Sequence, residues 1–179
     1  LKTTRQKDWK NIYHLVVLPA YKEGSKIIRE SIDSIIKSNY PKEKIIVILA
    51  VEERAGKTFQ DSAKLIEKEY KNKFFRFLIA FHPDNVVGEV AGKGSNVAFA
   101  GKEAKRVIDS LKIPYRNILV SSFDIDTKVY NQYFSCLTWY YLTEKNSERA
   151  SYQPIPVYNN NIWRAPFFTR IVATSSTFW

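Results

Sequence analysis

Four short apolar runs, each separated from the next by a stretch with helical spacing, constrain this chain more than any other feature. Leu15-Val16-Val17-Leu18 is a fully apolar run closed by Pro19, and Ile45 to Val51 is a second. Phe74 to Phe81 and Asn117 to Phe123 supply two more. The first two runs read as buried strands and the other two as strands. Between them, Ile28, Ile32, Ile35 and Ile36 keep helical spacing up to Asn39-Tyr40-Pro41, as do Phe59, Ala63, Ile66 and Tyr70. Val97, Ala100, Ala104, Val107, Ile108 and Leu111 mark a third helix. The order βαβαβαβ predicts an α/β fold with a mainly parallel sheet flanked by helices. After it, Tyr130 to Leu142 is predicted helical, Ala150 to Val157 extended, and Asn159 to Asn161 a loop.

In such a sheet, ligands bind beyond the carboxyl ends of the strands. The uncommon residues collect there: Pro19-Ala20-Tyr21-Lys22-Glu23, Glu52-Glu53, His82 to Lys93, and Asp124-Ile125-Asp126. Strand alternation places Asp124 and Asp126 on one side and turns Ile125 to the core. Two neighbouring carboxylates repel unless a cation neutralises them, and Mg²⁺ or Mn²⁺ with bound phosphates suits so few oxygen ligands. Lys128 stands where a calcium EF-hand loop needs an oxygen ligand. An Asp-x-Asp by itself is also common in turns. The segment Gly88 to Asn96 brings glycines, Lys93 and a helix start together, which suits an anion. It is not a Walker loop, because Gly94 occupies the position of the magnesium-binding Ser or Thr; a flexible capping turn reads equally well. Tyr21 offers a ring for stacking, while Glu23 and Glu52 offer acceptors for ribose hydroxyls or an imide N–H. His82 before Pro83 reads as a turn residue, and Cys136 on an aromatic helix as a core residue.

Taken in order, Pro-Ala-Tyr-Lys-Glu after a strand, an acidic end to the second strand, Gly-Lys-Gly-x-Asn at a helix start and Asp-x-Asp after the fourth strand resemble a family 2 glycosyltransferase of the membrane-associated type. The resemblance runs from about His14 to Asp126. It implies the GT-A fold and an inverting transfer of a sugar from a UDP- or GDP-sugar to a hydroxyl acceptor, lipid-linked or polysaccharide. It implies that Pro19, Tyr21, Glu23 and Glu52 hold the nucleoside and that Lys93 and Asn96 lie near the donor. Asp124 and Asp126 would bind Mg²⁺ or Mn²⁺ on the diphosphate, and Gln153 would line the acceptor side. Two departures stand out. Glu52-Glu53 replaces the two aspartates of many members, and after Asp126 the only acids are Glu144 and Glu148, in a context that reads as exposed loop. The catalytic base is therefore expected beyond Trp179.

Charge and composition narrow the alternatives. Lys and Arg number 28 against 18 Asp and Glu, a net charge of +10, and residues 1 to 116 carry 23 basic and 14 acidic side chains. Of the 26 aromatics, 13 fall in residues 130 to 179. A nucleic-acid binding module would interleave bases and aromatics, and here they are segregated. A nucleotidyltransferase on a similar sheet remains a second enzymatic reading. One cysteine and two histidines exclude a Cys/His zinc site. The seven-residue run Ile45 to Val51, the longest, is far shorter than the roughly 20 residues of a spanning helix. The basic excess instead suggests work at the cytoplasmic face of a membrane, against anionic lipid. The chain starts at Leu1 without methionine and stops at Phe178-Trp179 after an apolar stretch. The expectation is one catalytic domain over 1–179 cut from a longer, membrane-anchored protein. Residues 1–126 would bind the nucleotide sugar and 127–179 would begin the acceptor part, leaving an apolar patch around Phe167, Phe168, Phe178 and Trp179.

Overall fold

The computed structural model describes residues 8–154 and 166–168. Strands β1 (Tyr13–Ala20), β2 (Ile45–Glu52), β3 (Arg76–His82) and β4 (Ile118–Ser122) form one sheet in the order β3-β2-β1-β4. All three pairings are parallel. Helices α1 (Ser25–Ile36), α2 (Lys57–Tyr70) and α3 (Lys93–Ser110) occupy the crossovers, and α4 (Tyr133–Thr143) follows β4. This is the α/β architecture that the alternation predicts.

Between His14 and Glu52 its central strands are apolar because both faces are covered. Val16, Leu18 and Ala20 of β1 and Ile45, Val47, Leu49 and Val51 of β2 pack with Ile28, Ile32 and Ile35 of α1 and Ala63 and Ile66 of α2. The alternate residues, Leu15, Val17, Ile46, Ile48 and Ala50, meet Ala100, Ala104 and Ile108 of α3 on the other side. Alanines spaced four apart let α3 approach the sheet closely, so that face needs no large side chains.

Two details differ from the sequence-based expectation, each for a local reason. β1 continues through Pro19 to Ala20 instead of stopping before the proline. The Phe123 N–H donates to the Val17 carbonyl at 3.1 Å, so Val17 and, two residues on, Pro19 present their backbone groups to the β4 side. β4 has already ended opposite Val17, and the N–H that proline lacks has no acceptor there to lose. Cys136 is exposed, not buried. On α4 the buried stripe is Phe134, Leu137, Thr138 and Tyr141, at i, i+3, i+4 and i+7, which turns position 136 outward.

The chain divides into two compact units, Leu1–Glu148 and Arg149–Trp179. Within the first, the segment after Asp126 is docked on α1. The Val129 N–H donates to Ser34 Oγ at 2.9 Å, and Asn39 N–H and Ser135 Oγ–H form bonds with Asn131 O and Asn39 O at 2.7 and 2.9 Å. Of the second unit, Gln153 is exposed and its amide donates to the Pro154 carbonyl at 3.4 Å. Phe167 and Phe168 are exposed and pack edge to face on each other. Residues 157 to 161, Phe178 and Trp179 lie outside the described residues.

α4 is seated by a buried histidine. His14 of β1 lies between the rings of Tyr40 and Phe134, and its Nε2 meets Thr138 Oγ1 at 2.8 Å. No carboxylate faces it, and burial pushes its pKa down from 6.5 to about 3. The folded chain keeps this imidazole neutral where the unfolded chain protonates it, so stability falls as pH drops through 6.5 and levels off only near 3. Urea unfolding at pH 7 and pH 5 should show His14 alone costing about 2 kcal/mol over that interval. His14→Gln, which keeps a hydrogen-bonding group without the titration, should remove that share of the pH dependence.

Candidate functional site

Because every strand runs the same way and in register, the loops after β1, β2 and β4 leave from one edge. Ala20 is level with Val51, and Glu52 is level with His82. The extra ladder bond at Phe123 carries Asp124 to the end of β1. There the chain encloses a cavity of about 380 Å³ lined by Pro19, Ala20, Tyr21, Glu23, Ile27, Glu52, Lys93, Asn96, Asp124, Ile125 and Asp126. Eight residues singled out in the sequence therefore share one wall: Pro19, Tyr21, Glu23, Glu52, Lys93, Asn96, Asp124 and Asp126. Gln153 belongs to the second unit.

The loop after β1 is held by Glu23, whose carboxylate accepts the Tyr21 and Lys22 backbone N–H groups at 2.7 and 3.1 Å. One of its oxygens is thus used to shape the loop that presents Tyr21. α3 begins at Lys93 with a capped first turn, where the Gly92 N–H donates to Ser95 Oγ at 3.2 Å, and Lys93 and Asn96 of that turn line the cavity, bringing the positive end of the helix to it. Asn96 fixes that end. Its side-chain amide donates to the Ala50 carbonyl at 2.9 Å, while its Oδ1, fully buried, has no partner. A buried acceptor without a donor is costly.

Asp124 and Asp126 sit just past β4 in a turn closed by the Thr127 N–H on the Asp124 carbonyl at 2.9 Å, and both are exposed. Ile125 between them is buried in the core, but the segment is a turn and not the extended strand end that the alternation assumes. Lys93 forms an ion pair with Asp124. Both side chains are more than half exposed, so the pair is weak and displaceable. The donor set suits Mg²⁺ or Mn²⁺: two hard carboxylate oxygens on one cavity wall, with phosphates and water to complete the shell. Among the described residues no group of three or more His, Cys, Asp or Glu is assembled for a metal.

A second, smaller cavity of about 110 Å³ opens on the other side of Glu52, lined by Glu52, Arg54, His82, Pro83, Asp84, Asn85, Val86, Glu89 and Ala91. Of these nine residues the sequence singled out only Glu52 as a ligand. His82 is not a turn residue: it ends β3, is buried, and bonds Glu89 Oε2 at 2.9 Å. The sequence carried no signal of this, because the register that sets His82 level with Glu52 is fixed only in the folded ladder. Arg54, in the helical turn Glu53–Ala55, pairs with the buried Glu52 and lies 4.6 Å from the centre of the Tyr21 ring.

No family model matches this sequence, and no curated protein matches it. Among solved structures, the fold is similar to that of S. aureus TarS 1–349, with a TM-score of 0.50 and 19% identity over 73% of this chain and 32% of that one. The same protein in complex with UDP-GlcNAc gives a TM-score of 0.46 and 21% identity, over 73% and 31% of the two chains. This chain thus spans about a third of the TarS 1–349 structure and shares its fold.

The Asn96 arrangement makes a direct prediction. Asn96→Ala leaves the Ala50 carbonyl without its donor, and unfolding in urea should report a loss of about 1–3 kcal/mol. Asn96→Asp, which keeps the shape but cannot donate to Ala50 when ionised, should lose at least as much at neutral pH.

Proposed function

We propose that the larger cavity binds a nucleotide diphosphate sugar and that the chain is the donor-binding part of an inverting glycosyltransferase of family 2. The observation that carries this reading is the convergence of the four loops. An aromatic ring, a buried carboxylate, a helix N-terminus with a lysine and an Asp-x-Asp pair all border one cavity of ligand size. Each suits one part of such a ligand. Tyr21 and Glu52 offer a face and an acceptor to the nucleoside, while the α3 N-terminus and Lys93 offer positive potential to the diphosphate.

Asp124 and Asp126 would hold Mg²⁺ or Mn²⁺, which when bound supplies Lewis-acid stabilisation of the charge on the leaving diphosphate. The protein's own part is electrostatic and positional. Lys93 would leave Asp124 for the phosphates, and the positive end of α3 would favour the charge that develops as the sugar departs. An acceptor hydroxyl attacks the anomeric carbon from the opposite side: a carbon–oxygen bond to the acceptor forms as the bond to the diphosphate breaks, and configuration inverts. The hydroxyl proton needs a carboxylate base. Neither Glu144 nor Glu148 lines the cavity, and no described residue is assigned that role. The acceptor is proposed to be lipid-linked or polymeric, met at the cytoplasmic face of a membrane through the basic surface of the first 116 residues. No helix among the described residues is long and apolar enough to cross a membrane.

Two experiments test these proposals separately. Calorimetry with UDP- and GDP-sugars should detect binding that requires Mn²⁺ or Mg²⁺ and weakens by about tenfold or more in Asp126→Ala. Affinity undiminished by a chelator would remove the metal role of the Asp pair. Flotation with vesicles should depend on anionic lipid and weaken as salt rises; equal flotation with neutral lipid would dissociate the charge from any membrane.

A further inference from the structure

The proposed mechanism gives one lysine two partners that exclude each other. Lys93 opens α3 and Asp124 follows β4, 31 positions later, yet both line the larger cavity and form an ion pair there. Lys93 is the one cationic side chain among the described residues of that wall, against the carboxylates of Glu23, Glu52, Asp124 and Asp126. The two paired side chains are 59% and 65% exposed, so the pair contributes little to stability. Its effect is on occupancy. The lysine ammonium stands on the carboxylate that a divalent cation would take, and it is also the charge that a diphosphate would take.

We propose that Lys93 is an exchangeable counter-ion of Asp124 that couples the binding of cation and nucleotide: a diphosphate draws the lysine off the carboxylate, and the carboxylate is then open to a divalent cation. This rests on the donor reading above and deepens it. A cation arriving alone must displace the ammonium from Asp124. The displaced charge, carried by the first residue of α3, stays in the same cavity and repels the newcomer. A diphosphate arriving alone must draw Lys93 away and then faces the carboxylates of Asp124 and Asp126 with less positive charge between them. Arriving together, each ligand neutralises the group that the other has exposed.

A cation bridging carboxylate and phosphate gives coupling of its own, with no lysine involved. The two contributions separate because they act in different states. Lys93 competes with a cation for Asp124 only while no nucleotide is bound, whereas the bridge exists only once one is. Removing the lysine should therefore strengthen cation binding to the free chain and change it far less in the nucleotide complex, and by reciprocity the coupling shrinks by the same factor seen from either ligand. Lys128 supplies the control for net charge. It stands two residues beyond Asp126 and is paired with Glu30 at 2.9 Å.

The test is calorimetric titration of the full chain with Mn²⁺, alone and with UDP or GDP at a concentration that saturates each variant, corrected for Mn²⁺ held by free nucleotide. The proteins are the unaltered chain, Lys93→Met, Lys93→Arg and Lys128→Met. Lys93→Met keeps the length without the charge and should bind Mn²⁺ alone about fivefold more tightly, with a change below about twofold when nucleotide is present. Lys93→Arg, whose planar fork holds a carboxylate better, should bind Mn²⁺ alone no more tightly than the unaltered chain. Lys128→Met should gain less than about twofold. Unchanged Mn²⁺ affinity in Lys93→Met, a gain of the same size with and without nucleotide, or an equal gain in Lys93→Arg or Lys128→Met overturns the role of Lys93 while leaving donor binding intact. Failure of both nucleotides to bind the unaltered chain would instead overturn the donor reading and this inference with it.

Discussion

Burial of β1 and β2 on both faces is the constraint on which the rest of the structure depends. Residues of alternate parity on each strand enter two different cores, so neither strand has a polar side, and helices must cover both. A parallel sheet wrapped in this way has polar chain at its two rims and nowhere else. The rim at the carboxyl ends collects the loops after all four strands, and the in-register pairing brings distant residues level there. Glu52 and His82, thirty positions apart in sequence, become neighbours through one rung of the ladder.

Within that rim, the carboxylates mostly have a partner. Glu52 is buried and has Arg54; Glu89 has His82; the exposed Asp124 has Lys93. The three pairs differ in what it costs to open them. Separating a buried carboxylate from its partner strands a charge in low dielectric, whereas the exposed pair exchanges partners for little. The end of the cavity bordered by Lys93 and Asp124 is accordingly labile, and the end bordered by Glu52 is stiff.

How much of this could be read from residues alone depended on the range of the interaction. The strands and the first three helices were legible because their signals are local: unbroken apolar runs, and isoleucines or alanines at helical spacing. The members of the larger cavity were legible because each sits where a strand ends. What could not be read was side-chain pairing across loops. Nothing adjacent to Arg54 in sequence indicates that it turns back over Tyr21, thirty-three positions earlier, and Pro83 made His82 resemble the start of a turn when the ladder to β2 still holds it. Cys136 was misplaced for a related reason. An aromatic helix looks buried all round until its packing stripe is known, and α4 buries only Phe134, Leu137, Thr138 and Tyr141.

The hydrogen bond from Asn96 to the Ala50 carbonyl has a thermodynamic consequence. It fastens the first turn of α3 to the end of β2, one residue before the strand reaches Val51 and Glu52. The parts that would meet the two ends of a dinucleotide-sized ligand are thereby placed at a set separation before any ligand arrives. Their ordering entropy is already lost on folding, so association need not bear it again. A ligand reaching this rim encounters a spacing between acceptor and helix terminus that selects by length as well as by chemistry.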